Sequence, residues 1–177
     1  GTKNIKFSVV RYGNVMGSRG SVIPLFLKQK QENVFTVTDK NMTRFNISLS
    51  EGVNFVISCL DLMKGGEIFI PKLFSYKILD LLKAISKKNP KVKIIGMRAG
   101  EKLHEEMISI NDKSVFEFKN FFIIMPNKEF LSWSIDEFVK KYKGKKCSDT
   151  FSYNSFNNKK FLTINEIKKI LHNGKLL

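Results

Sequence analysis

Residues 7–21 read FSVVRYGNVMGSRGS, an apolar run that ends in a loop with glycines at positions 13, 17 and 20. An apolar segment, VIPLFLKQKQ (22–31), follows it, and a second extended run, VFTVT (34–38), ends on Asp39. Strand, glycine loop, helix, strand and acid is the order of a dinucleotide-binding unit. That unit needs glycines at positions one, three and six, for a tight turn, for backbone approach to a pyrophosphate and for helix-on-strand packing. Here the spacing is one, five and eight, so the turn and the close approach are misplaced. The loop also carries Arg19, which a pyrophosphate cradled by backbone amides does not require. The spacing therefore argues against a primary dinucleotide site. It leaves open a plain structural loop, or a loop that closes over a phosphorylated ligand from the far side.

The chain has 177 residues, enough for one domain with a real core. Its hydrophobic content is 42%, with 16 Phe, which excludes a disordered composition. Lys and Arg number 31 against 16 Asp and Glu, a formal charge of +15. Such a charge suits anionic partners, and a compositional bias toward Lys, Asn, Ile and Phe produces it equally well. Basic pairs such as Lys87-Lys88 and Lys140-Lys141 are spread along the chain rather than gathered into an aromatic-interleaved patch, which disfavours nucleic acid. Cys59 and Cys147 make neither a metal spacing nor a disulfide framework, and a reducing, cytoplasmic setting fits them. No apolar run reaches 18 residues, so no membrane span is expected. The start at Gly1, just before an apolar strand, suggests a piece of something longer.

Strand patterns cover 5–11, 34–38, 44–49, 67–71, 92–96 and 121–126. Helical spacing covers 21–31, with Pro24 in the first turn, then a segment capped by Ser50 whose face is Val53, Val56, Ile57, Leu60 and Met63. Gly65-Gly66 ends it. Ile78, Leu81, Leu82 and Ile85 mark a third helix, 135–143 a fourth, and Thr163 with Glu166 forms a capping box for a last one. EKLHEEMI (101–108) reads as a helical turn or two, with His104-Glu105-Glu106 as a solvated face. The class is α/β.

Two motifs favour a phosphorylated ligand. MTRF (42–45) places Arg44 just before a strand, and RAGEK (98–102) places Arg98 at a strand end, then a turn and Glu101. A guanidinium grips phosphate oxygens with paired hydrogen bonds, and a carboxylate accepts from sugar hydroxyls. Two arginines and an acid suit a nucleotide diphosphate sugar, while ordinary loop arginines paired with carboxylates account for each motif singly. Tyr142 and Lys146 have a Tyr-x-x-x-Lys spacing, but Gly144 between them and the surrounding lysines point to a helix end.

In order along the chain, RYGNVMGSRGSVIPLF, VTDKNMTRF, GGEIFIPK, GMRAGEKLHEEMI and FSYNSFNNKKFLT resemble the C-terminal half of the CapD-type polysaccharide-biosynthesis proteins, nearest the inverting, 5-epimerising UDP-N-acetylglucosamine 4,6-dehydratases. These are extended short-chain dehydrogenase/reductases. The resemblance implies the end of a Rossmann-type parallel sheet (about 5–31 and 50–72), interleaved with a small α/β substrate-binding lobe (about 32–49 and 73–177). It implies an NADP cofactor, a UDP-sugar substrate, a homo-oligomeric full-length protein, and no membrane or nucleic-acid partner. Asn14, Arg19, Arg44, Arg98 and Glu101 match substrate-binding positions, and Val15 matches a position beside the nicotinamide. The family's cofactor loop and catalytic Tyr-x-x-x-Lys lie upstream of the matched part, which implies an inactive chain with no catalytic residue of its own. Phe156 departs from the pattern, where an acidic residue is expected. The alternatives are a non-catalytic UDP-sugar-binding subunit that needs a partner carrying the cofactor loop, and a basic nucleic-acid-binding domain.

Overall fold

The computed structural model describes residues 5–174 and Leu176. In chain order the elements are β1 (Val9–Val10), α1 (Val22–Gln29), β2 (Val34–Val37), β3 (Thr43–Asn46), α2 (Leu49–Leu62), β4 (Ile68–Pro71) and β5 (Phe74–Lys77). Then come α3 (Ile78–Ile85), β6 (Lys91–Ile94), β7 (Glu106–Ile108), β8 (Val115–Glu117), β9 (Phe121–Ile124) and a 3-10 turn (Lys128–Phe130). Last are α4 (Ile135–Lys141), β10 (Lys145–Lys146), β11 (Tyr153–Asn154) and α5 (Ile164–Asn173). The α/β class expected from the alternating patterns is the observed one.

The elements fall into two compact units. The first comprises residues 5–12, 50–72 and 106–153. Its five-stranded sheet runs β1-β4-β9-β8-β10, with β1 parallel to β4 and the remaining pairs antiparallel. A parallel pair needs a long crossover, and the one that joins β1 to β4 contains α2. The unit's core is aromatic: Phe69, Phe118 and Phe138 are buried with Cys59, Ile123 and Ile135. Phe118 stacks on Phe121 at 5.0 Å and meets Phe138 edge-on at 5.9 Å. Glu67, fully buried, ties the turn after α2 together by accepting from Ser8 Oγ, Lys64 N and Gly65 N.

The second unit comprises residues 13–49, 73–105 and 154–174, with Leu176. It holds a parallel β2–β6 pair and an antiparallel β3–β5 pair. Its core is mainly aliphatic, with Ile78, Leu81, Leu82 and Ile85 of α3 buried against Phe26, Phe35, Ile167 and Leu171. The capping box of α5 is present as read: Glu166 N donates to Thr163 Oγ1 at 3.3 Å, and Thr163 N donates to Glu166 Oε2 at 2.8 Å.

Four local expectations are corrected. The first strand is confined to β1: Val9 N and Arg11 N donate to Glu67 O and Phe69 O, and Phe7 O accepts, among the described residues, only from Gly66 N in the turn before β4; Ile5, Phe7 and Val9 are exposed rather than buried. Ser50 is not a cap, since α2 begins at Leu49 and Ser50 lies inside its first turn. The expected inner face of α2 is largely solvent-facing, and Gly52 and Cys59 are its buried residues. Residues 101–108 form no helix: Glu106–Ile108 is β7, and the residues before it run irregularly.

Candidate functional site

A cleft of about 290 Å³ opens within the second unit, at the small end of the usual range for ligand sites. One wall is the glycine loop. Val15 makes a parallel bridge to Ile47, and Met16 N donates to Ile47 O at 2.8 Å, which holds Asn14–Met16 beside the end of β3. Gly13 permits this approach: a Cβ there would stand 2.7 Å from Phe45 Cβ, so any larger residue would push the loop away. Two successive turns follow, closed by Ser18 N to Val15 O and Ser21 N to Ser18 O, and they require the positive φ of Gly17 and Gly20 (76° each). The glycines thus shape a cleft wall rather than a pyrophosphate cradle.

The floor is β3. Side chains alternate along a strand, so Arg44 and Asn46 share one face, and both line the cleft. Tyr76, opposite Arg44 in the β3–β5 register, lines it as well. Burial, with the nearby Glu105 charge, pushes the Tyr76 hydroxyl far above its ordinary pKa, which keeps it neutral. Arg44 is turned largely onto the protein: Nη1 donates to Thr43 O (2.7 Å) and Leu103 O (3.0 Å), Nη2 lies 2.9 Å from Met42 Sδ, and Nε sits 3.8 Å from Glu105 Oε1. It clamps the 103–105 stretch onto β3 while remaining at the cleft.

Glu105 is the carboxylate under the glycine loop. Its Oε2 accepts from Phe45 N at 2.8 Å, and its side chain hydrogen-bonds Asn14. Burial raises its pKa, opposed by the Phe45 N–H, Arg44 and Asn14. The other face of β3 is closed by a hydroxyl chain. Glu105 N donates to Ser155 Oγ (2.9 Å), Ser155 Oγ lies 2.7 Å from Thr43 Oγ1, and Thr43 Oγ1 lies 2.8 Å from His104 Nδ1. With Ser155 donating to Thr43 and Thr43 to His104, one of the two directions the hydroxyls allow, Nδ1 is an acceptor, which suits a neutral imidazole. The His104 pKa is lowered by burial and then by Arg44, in agreement. Phe156, the departure from the family pattern, stacks on the His104 ring at 4.6 Å. The reading of His104 and Glu105 as a solvated helical face is therefore corrected: both are part-buried and bonded to β3 or the 154–156 turn.

At the rim, Glu101 accepts from Arg98 N (3.2 Å) and from Thr38 Oγ1 (3.3 Å), closing the turn through Gly100 (φ 79°). Of the residues singled out from sequence, Asn14, Val15, Arg44, Arg98 and Glu101 all line this cleft, whereas Arg19 is exposed on the loop and outside the lining. Sequence reasoning missed Ser21, Asn46, Tyr76 and Glu105. The period-two pattern from Arg44 was a usable signal for Asn46; nothing local marked the others. Among the described residues there is no cluster of three or more His, Cys, Asp or Glu suited to a metal, and no helix long and apolar enough to cross a membrane.

Buried polar groups that find no partner are costly, about 1–3 kcal/mol each. Among the described residues, two buried side-chain polar atoms have none, Ser21 Oγ and Asn46 Oδ1, and both residues line the cleft. Ser21 stands at the N-cap of α1, yet its hydroxyl makes no capping bond.

The chain is 48% identical to an inverting UDP-N-acetylglucosamine 4,6-dehydratase of Campylobacter jejuni serotype O:2, over 97% of this chain and 53% of that protein. It is 38% identical to a UDP-glucose 4-epimerase of Rickettsia bellii, over 94% of this chain and 49% of the other. The solved structure of Pen from Bacillus thuringiensis superposes with a TM-score of 0.78 at 34% identity, covering 97% of this chain and 51% of Pen. The chain spans about half the length of the curated relatives it matches. Residues 1–126 match the polysaccharide biosynthesis protein family model, and the chain belongs to that family.

Proposed function

We propose that this chain forms the substrate-binding half of a nucleotide-sugar 4,6-dehydratase, which converts UDP-N-acetylglucosamine to a UDP-4-keto-6-deoxy sugar in surface-polysaccharide or flagellin-glycan biosynthesis. The observation that carries the reading is the meeting in one cleft of Asn14, Arg44, Arg98 and Glu101, from three separate stretches of sequence. Arg98, exposed and at the rim, is the guanidinium best placed to meet a diphosphate. Arg44 serves more through its field and its clamp on 103–105 than through free donors. Asn14, held by Glu105, offers its amide to the sugar. Arg19, exposed on the loop, would reach the phosphates only by movement of that loop.

The same reading assigns NADP as the hydride carrier, bordered here by Val15. Gly20, where an added Cβ would meet nothing within 4 Å, leaves open space on that wall for a bound group. When bound, NADP takes up and returns the hydride; the residues of this chain position the sugar nucleotide beside it. The enzyme is expected to be cytoplasmic and homo-oligomeric. We expect the chain alone to form no keto-sugar, because the family's cofactor loop and catalytic Tyr-x-x-x-Lys lie upstream of the part it resembles.

Isothermal titration of the chain with UDP and with UDP-N-acetylglucosamine tests the binding assignment. Binding of both, weakened about tenfold by Arg98→Ala as a charge-assisted contact is lost, supports it. Absence of binding to either by the unmodified chain sinks it. A second reading, a UDP-sugar-binding subunit completed by a cofactor-binding partner, is favoured by the exposed apolar face of α2. Copurification of a Rossmann-type partner would select it.

A further inference from the structure

We propose that Asn46 is the residue with which this cleft recognises an uncharged hydrogen-bond donor of its ligand, a sugar hydroxyl or an acylamino N–H. The inference rests on the reading of the cleft as a nucleotide-sugar site and assigns Asn46 to the sugar rather than to the ribose hydroxyls or uracil N–H of UDP, a choice that the comparison of the two ligands below decides.

Asn46 is the last residue of β3 and only 9% exposed. Asparagine is disfavoured in strands, and a buried one is retained where its amide has work to do. Its Oδ1 is out of solvent and has no partner among the described residues, although the residue lines the cleft. Strand alternation puts it on the face of Arg44, two residues away, and the Val15–Ile47 bridge brings the Asn14 wall alongside. A carbonyl oxygen can only accept. It has nothing to offer an ionised phosphate, whose oxygens are acceptors too, and it is satisfied by an O–H or N–H. The second orphaned atom, Ser21 Oγ, lines the same cleft. A hydroxyl can donate as well as accept, so it can meet either part of such a ligand. Two unsatisfied polar atoms in one cleft mark a surface whose hydrogen bonds are completed by a ligand.

The test compares UDP with UDP-N-acetylglucosamine by titration calorimetry on the whole chain. Asn46→Leu removes the acceptor at similar volume. It is expected to weaken UDP-N-acetylglucosamine about tenfold, as a buried ligand donor is left unpaired, and to leave UDP within about twofold. Asn46→Asp keeps an acceptor and adds a charge, so both ligands weaken by repulsion from the diphosphate, UDP the more because its terminal phosphate carries more charge, and the preference for UDP-N-acetylglucosamine over UDP is restored to at least that of the unmodified chain. Thermal melts followed by circular dichroism confirm folding, and Asn46→Ala replaces the Leu variant if that one does not fold. Equal losses for the two ligands, an unchanged affinity ratio in the Leu or Ala variant, or an Asp variant that fails to restore it would overturn the assignment. A chain that binds neither ligand before mutation removes the nucleotide-sugar reading itself. A chain that binds both but is indifferent to Asn46 removes only this inference.

Discussion

Helices α2 and α3 both repeat apolar residues every three or four positions, yet α3 buries Leu81 completely, whereas α2 leaves Val53, Ile57 and Leu60 at 49, 54 and 63% exposure. The inner face of α3 is enclosed within its unit by α1 and α5, whose Phe26, Ile167 and Leu171 are fully buried. In its own unit α2 touches the core through Cys59, with Phe55, Leu62 and Met63 partly buried against it. Apolar spacing thus declares a helix in both cases, but says nothing about whether the declared face meets a partner. The Cys59 thiol, pushed up to about 11 by burial, marks the side of α2 that does.

The contrast can be broken or sharpened experimentally. Leu81→Ala should have the largest effect, a loss of about 3 kcal/mol of unfolding free energy from the lost transfer term and the cavity, read from urea midpoints. Ser155→Ala tests whether hydrogen bonds close the second unit as packing does around α3. Ser155 is fully buried and joins Glu105 to Thr43, so truncation should cost about 1–2 kcal/mol, and no change would demote the hydroxyl chain.

A smaller, pH-dependent effect belongs to His104. Its folded pKa lies below the unfolded value, about 6.5, through burial and Arg44. The unfolded chain therefore binds more protons below that value, and stability falls as pH drops from about 6.5 through the folded pKa. His104→Gln should show a smaller loss of melting temperature between pH 7 and 5. Glu105 runs the other way: its pKa is raised by burial, so its contribution is full below the unfolded value and is lost as pH rises through the folded one. An unchanged acid limb in the Gln variant would count against the neutral imidazole. Least of all should Leu60→Ser matter, at under about 0.5 kcal/mol. A loss comparable to that of Leu81→Ala would show that the α2 face is covered after all and would end the contrast.

What was legible in advance followed the range of its causes. The Thr163–Glu166 box spans four residues and is read directly from them, as are α3, the Gly65-Gly66 stop and the Pro71 strand end. Arg44, Arg98 and Glu101 stood out because their residue types suit a phosphorylated sugar, Asn14 stood out only through the family resemblance, and the cleft gathers all four. His104 and Glu105 were misread because their partners, Ser155 and Phe45, lie about fifty and sixty residues away. No local pattern distinguishes a glutamate facing water from one accepting a strand's N–H.

The sequence by itself determined the α/β class, the helices whose caps and spacing are local, the family, and the residue types suited to a phosphorylated ligand. Only the tertiary structure decided which of those residues share a cleft, which apolar faces are enclosed, and that Asn46 and Ser21 keep polar atoms there without a partner among the described residues. The physical reason is that burial and hydrogen-bond satisfaction belong to pairs of distant segments. The glycines at 13, 17 and 20 illustrate it. Their order imitates a cofactor loop, but their work is to let the loop lie so close to β3 that a Cβ at Gly13 would stand 2.7 Å from Phe45 Cβ, and to turn twice before α1.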